Sequence, residues 1–211
     1  MSAALGFAVP FGSLTTDLAT TDAIAIGPAI GGAVGYGLSR YVSLEARGRY
    51  ASYGAADRPS RIPTNPDAVI VCASCTGTGY ELGLGLVYHA VQALAFDPWM
   101  SFGVGWRSTT ITLMRGDLPG DPSDATFGGL DVARIGLGGD FFPLKSLGLG
   151  VGLDLALGTN VDRPAGQDGS LYAVFGLGLR VTLDPIGAVS SPPAPARPAT
   201  GRAAPSRPAN N

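Results

Sequence analysis

Nine charged side chains recur at alternate positions among small and apolar neighbours: Glu45, Arg47, Arg49, Glu81, Arg107, Arg134, Asp140, Asp154 and Arg180. The chemistry open to them is ion pairing. A guanidinium presents a planar fork of donors that matches a carboxylate. A charge removed from water must find such a partner, because an isolated one costs several kcal/mol. This set holds five Arg against four carboxylates. If all of them point into one narrow interior, they form a plug of mutually satisfied pairs. Breaking the pairs would turn the same residues into a narrow ion pathway. The cost of an unpaired charge favours the plug.

Other reactive groups are few. Cys72 and Cys75 form a C-x-x-C within a long polar stretch. Zinc would need further ligands, and the only imidazole, His89, lies well away in sequence. A redox motif of this spacing needs a βαβ context that is missing here. Outside the reducing cytosol the pair reads as a loop disulfide. Serine hydrolysis needs a nucleophile and an orienting carboxylate within reach of a base, and no G-x-S-x-G occurs. Asp117, Asp121 and Asp124 lack EF-hand spacing and read as solvated turn formers. No catalytic, cofactor-binding or metal residue is expected, and no enzyme.

The elements that must position the charges are strands. From Leu147 to Leu157 every odd residue is a branched aliphatic and every even one is Gly, Ala or Asp, a two-residue period that segregates large apolar groups on one strand face. The pattern repeats over Ala4–Phe11, Ile24–Leu38, Val42–Tyr50, Tyr80–Tyr88, Leu94–Thr109, Phe127–Phe141 and Leu171–Leu183. Ile24 and Ile26 are expected outward, as are Ala133, Ile135, Leu137 and Phe141. The charges fall on the opposite face. Each strand reaches the roughly 9–11 residues that a tilted strand needs to cross hydrocarbon, or nearly so. Long polar loops (Gly12–Asp22, Gly54–Thr78, Leu113–Thr126, Gly158–Ser170) alternate with short turns. That alternation and the outward apolar face predict an all-β, eight-stranded antiparallel up-and-down transmembrane barrel. Phe11, Tyr36, Tyr41, Tyr88, Phe96, Trp99, Phe141 and Phe142, near strand ends, would form interfacial girdles.

Composition agrees. Apolar residues make up 45% and charged ones 14% of the chain, and its 32 Gly suit a closed β-structure with little interior room. No apolar run reaches the roughly 18 residues of a membrane helix. A net charge of -2 without a basic, aromatic-laced patch argues against nucleic acid. Met1 leads almost directly into an apolar segment without a basic leader, so export requires a signal peptide upstream of the given start. Residues 1–183 form the barrel domain. Residues 184–211, rich in Pro and Ala, are expected to be a disordered periplasmic tail.

Gly6-Phe7-Ala8-Val9-Pro10-Phe11-Gly12, the Gly31–Tyr50 hairpin and the Leu171–Leu183 strand together resemble the small outer-membrane β-barrels, the group of the OmpA transmembrane domain and its OmpX-like relatives. The resemblance spans about Ala3 to Leu183. It implies a bacterial outer-membrane location, lipid as the surrounding partner, and a monomer. The tail is similar to the linker that joins OmpA-type barrels to a peptidoglycan-binding domain, which implies contact with peptidoglycan or periplasmic proteins. The expected function is structural or surface-interacting, without catalysis. The alternatives are a narrow ion or small-solute pore and a soluble lipocalin-type ligand-binding barrel.

Overall fold

The computed structural model describes residues 1–15, 18–55, 60–65, 68–72, 75–90, 95–113, 123–144, 146–162 and 170–183. Among these, eight long strands close a barrel: β1 (Ser2–Thr15), β2 (Gly27–Gly37), β3 (Val42–Tyr53), β4 (Thr76–His89), β5 (Phe96–Leu113), β6 (Ser123–Leu144), β7 (Leu147–Asp162) and β8 (Leu171–Leu183). Each pairs antiparallel with its sequence neighbours, and β8 returns to β1 with Leu5 opposite Leu179 and Gly6 opposite Gly178. Closure satisfies the row of backbone groups an open edge would expose. The Leu183 N–H extends the seam by donating to the Met1 carbonyl at 2.7 Å.

Side-chain size decides which face turns in. Leu5, Phe7, Ile30, Leu82, Leu84, Phe102, Leu153, Leu177 and Leu179 stand exposed on the outer wall. Water does not tolerate a continuous apolar belt of this extent, and hydrocarbon does. The strands present this apolar face, and no helix among the described residues is long and apolar enough to cross a membrane. A soluble ligand-binding barrel would need the reverse orientation. The inward rows carry the glycines. The Trp99 ring lies across Gly138 and Gly152, and a methyl at Gly152 would approach it to 3.2 Å.

The short turns gather at one rim. At Leu38–Tyr41, the Ser39 hydroxyl accepts the Tyr41 and Val42 N–H groups at 3.2 and 3.1 Å, which holds the chain reversal. The long-loop end carries one helical turn, Thr20–Ala23, a two-residue strand at Leu18–Ala19 that pairs with β1, and a separate hairpin of Ser60–Asn65 with Ala68–Cys72. Under this end lies an apolar cluster that includes Ala8, Ile24, Tyr53, Ile111, Phe127 and Val174.

The structure corrects the sequence reading in several places. Ile24 lies outside β2 and is 1% exposed in the apolar cluster, bridged to Ala55 rather than facing lipid. Burying it caps the lumen. Phe127, within the β6 strand, points inward into the same cluster. Trp99 lies inward over Gly138, on the face that the alternation of β5 gives it, and Phe142 turns inward over Gly148, so neither takes part in a girdle. Strands β5 and β6 run past the expected loop boundary, with Thr110 opposite Thr126 and Thr112 opposite Asp124. Residues 184–211 and the acidic residues Asp117 and Asp121 lie outside the described residues.

Candidate functional site

Asp131 is the lumen residue that simple alternation misses. Along β6, Arg134, Gly136, Gly138 and Asp140 face inward, and an unbroken period of two would send Asp131 into the lipid. Gly103 pairs with Arg134 and Gly105 with Asp131, so Val132 and Ala133 together oppose the single residue Val104. The same offset recurs against β7, where Leu157 pairs with Ala133 and Gly158 with Asp131. This is a β-bulge, which shifts the phase by one residue and turns both Asp131 and Arg134 inward. The sequence does carry the signal: the outward apolar residues are even at Leu130 and Val132 and odd at Ile135 and Leu137.

With Asp131 included, the lumen network holds five Arg and five carboxylates. Its upper tier centres on Glu81, which is 4% exposed. Arg49 and Arg107 each approach Glu81 Oε2 at 2.8 Å, and Arg134 donates to Oε1. Asp131 accepts from Arg107 and Arg134 at 3.3 Å and from the Tyr172 hydroxyl at 2.7 Å. Asp154 accepts two bonds from Arg49 at 2.9 Å. The Arg107 guanidinium also sits 5.4 Å from the Tyr172 ring centroid. Glycines make this crowding feasible: a methyl at Gly176 would collide with the Asp154 carboxylate and the Arg49 guanidinium.

The lower tier lies nearer the short-turn rim. Arg180 pairs with Glu45 at 3.1 Å, stands 3.8 Å from Asp140, and stacks 4.9 Å from the Trp99 ring. Asp140 also accepts from Thr182 at 2.8 Å and from Trp99 Nε1 at 3.4 Å. Arg47 has one carboxylate partner, Glu45, at 3.2 Å. At the rim itself, His89 Nδ1 lies 2.7 Å from Asp97, with Ser43 Oγ 3.5 Å from Nε2.

Cys75 is buried in the apolar cluster beneath the loops. The Cys72 side chain lies outside the described residues. Among the described residues no group of three or more His, Cys, Asp or Glu side chains could hold a metal ion.

From the long-loop end downward, the lumen thus presents an apolar cap, a dense ionic tier and a looser ionic tier, inside a wall that is greasy on its outside. The fold this defines is a small eight-stranded antiparallel β-barrel with its apolar face outward, similar to that of small outer-membrane barrels. The fold is similar to that of Neisserial surface protein A, with a TM-score of 0.50 at 15% identity over 86% of this chain and 96% of that one. Matches to OprG of Pseudomonas aeruginosa (TM-score 0.45, 11% identity, 85% and 93% covered) and to Ail of Yersinia pestis with a heparin analogue (0.44, 12%, 85% and 95%) are weaker. No family model and no curated protein sequence matches the chain.

Proposed function

We propose that this protein is an integral barrel of the bacterial outer membrane with a closed lumen. Its role is structural or surface-interacting: it holds its long loops outside the cell and performs no catalysis. The observation that supports this most is Glu81, buried with three guanidiniums on its two oxygens. Opening a path past it would strand at least one charge in a low-dielectric interior, a loss of about 3–5 kcal/mol per broken pair. The apolar cap above it adds a second barrier.

In this reading lipid is the main partner, the barrel is monomeric, and residues 184–211 extend into the periplasm toward peptidoglycan or periplasmic proteins. Cys72 and Cys75 close a disulfide within the surface loop. The test is conductance of the purified, refolded protein in planar bilayers over a range of salts. A silent membrane with demonstrably inserted protein is expected. Stepwise ion currents would overturn the plug and favour a narrow pore, and quantitative recovery without detergent would overturn the membrane assignment.

A further inference from the structure

The lumen is not filled evenly. All ten charges of the network come from β3 to β8, whereas β1 and β2 turn only small residues inward at the same height, among them Ala4, Gly6, Gly31 and Ala33. Ala4 is placed on the lumen face by its pairing with Arg180, yet it is exposed. The result is a cavity of about 130 Å³ on the short-turn side of Glu81, with Arg47, Arg134, Trp99 and Gly6 in its wall. At about 30 Å³ per liquid water, it has room for several waters or for one small anion with part of its hydration.

Its electrostatics are lopsided. The ionisable groups on the wall are Arg47, Arg49, Arg134 and Arg180 against Glu45, Glu81 and Asp154. The other two carboxylates stand behind the wall: Asp131 accepts from Arg107, Tyr172 and Arg134, and Asp140 accepts from Thr182 and Trp99 with Arg180 at 3.8 Å. Among the groups on the wall itself, cations outnumber carboxylates by four to three. Two guanidiniums there retain donor capacity. Arg47 has a single carboxylate, and the buried Arg134 Nε has no acceptor among the described residues. A buried donor without an acceptor is costly, and an anion or a polar ligand oxygen relieves it.

We propose that this vestibule is a binding site for a small monovalent anion, a halide or a short carboxylate, which enters from the short-turn mouth and is held by Arg47 and Arg134. The site goes beyond the closed-barrel reading and does not require ions to cross.

Trp99 lines the cavity, and the only other Trp, Trp106, faces outward. A Trp106→Phe variant in detergent micelles therefore reports on the vestibule through Trp99 fluorescence. Iodide titrated at constant ionic strength is expected to quench with saturation, with chloride or formate competing and caesium having no effect. Arg47→Gln should weaken apparent iodide affinity about tenfold, the worth of one charge-assisted hydrogen bond, and Arg47→Lys should restore part of it. Circular dichroism confirms that each variant is folded. Linear quenching equal to that by neutral acrylamide, or saturation unchanged in Arg47→Gln, would overturn the site. Bilayer conductance is read separately: saturable iodide binding with silent bilayers supports both readings, and saturable binding with current supports the site while refuting the plug.

Discussion

Asp131 and Arg134 stand three positions apart on one strand, yet both point into the lumen, with Arg134 Nη1 3.3 Å from Asp131 Oδ2. In a regular strand, residues three apart lie on opposite faces. The Val132–Ala133 bulge makes the pair possible, and with it the fifth carboxylate that balances five guanidiniums. Removing Val132 should therefore be tolerated. The shortened strand would pair Ala133 with Val104 and leave Asp131 opposite Gly105 and Arg134 opposite Gly103. Removing Ile135 instead should drive either Arg134 or the residues below it outward into lipid. Folding yield into phospholipid vesicles, read by electrophoretic mobility of unheated samples, checks the contrast: near-normal for the first deletion and lost for the second.

Glu81 is the keystone of the upper tier, so its neutralisation should be more costly than that of any surface carboxylate. Glu81→Gln leaves Arg49, Arg107 and Arg134 facing one another across a neutral amide. A loss of about 3–5 kcal/mol is expected, measured as a lower urea midpoint with an unchanged slope in vesicles. Glu81→Gln combined with Arg134→Met should be less damaging than the sum of the two single changes, since residues sharing one ion-pair network do not add.

Most of the barrel was legible because two physical constraints act on each strand at once. Hydrocarbon outside demands large apolar residues at alternate positions, and a crowded lumen demands small or paired ones, so Leu147–Leu157 declares its two faces without help. The reading fails where one constraint lapses. Ile24 and Phe127 lie above the apolar belt, where hydrophobicity means burial under the loops instead of contact with lipid. Trp99 and Phe142 look like interfacial aromatics by composition; the alternation of β5 already turns Trp99 inward, whereas only the glycine opposite Phe142 reveals that its ring lies inside. Which guanidinium meets which carboxylate was not legible, since partners such as Arg49 and Asp154 come from strands that are not neighbours.

The apolar cap and the ionic tier are stacked barriers, and removing one should not open the barrel. Phe127→Ala deletes a side chain that is 1% exposed and should cost about 3–5 kcal/mol by leaving a cavity. Planar bilayers should nevertheless stay silent, because Glu81 and its three guanidiniums remain below. Adding Glu81→Ala to Phe127→Ala should produce current if the two layers together seal the lumen. Current from Phe127→Ala alone would assign the seal to the cap.

Leu153 and Asp154 are neighbours in sequence with opposite surroundings, which gives a direct test of the side-chain orientation. Leu153 lies on the outer belt, 44% exposed, and Asp154 accepts from Arg49 inside. Leu153→Arg would place a guanidinium in hydrocarbon and should cost about 2–4 kcal/mol if the position sits near the midplane. Thicker bilayers should enlarge the loss by keeping the charge further from the headgroups, and a more soluble detergent micelle should shrink it. Asp154→Asn should show no such dependence on acyl-chain length, because its cost arises from the Arg49 pair within the lumen. Urea unfolding of both variants in vesicles of two chain lengths separates the cases. Equal sensitivity of the two to bilayer thickness would mean that the faces are assigned the wrong way round.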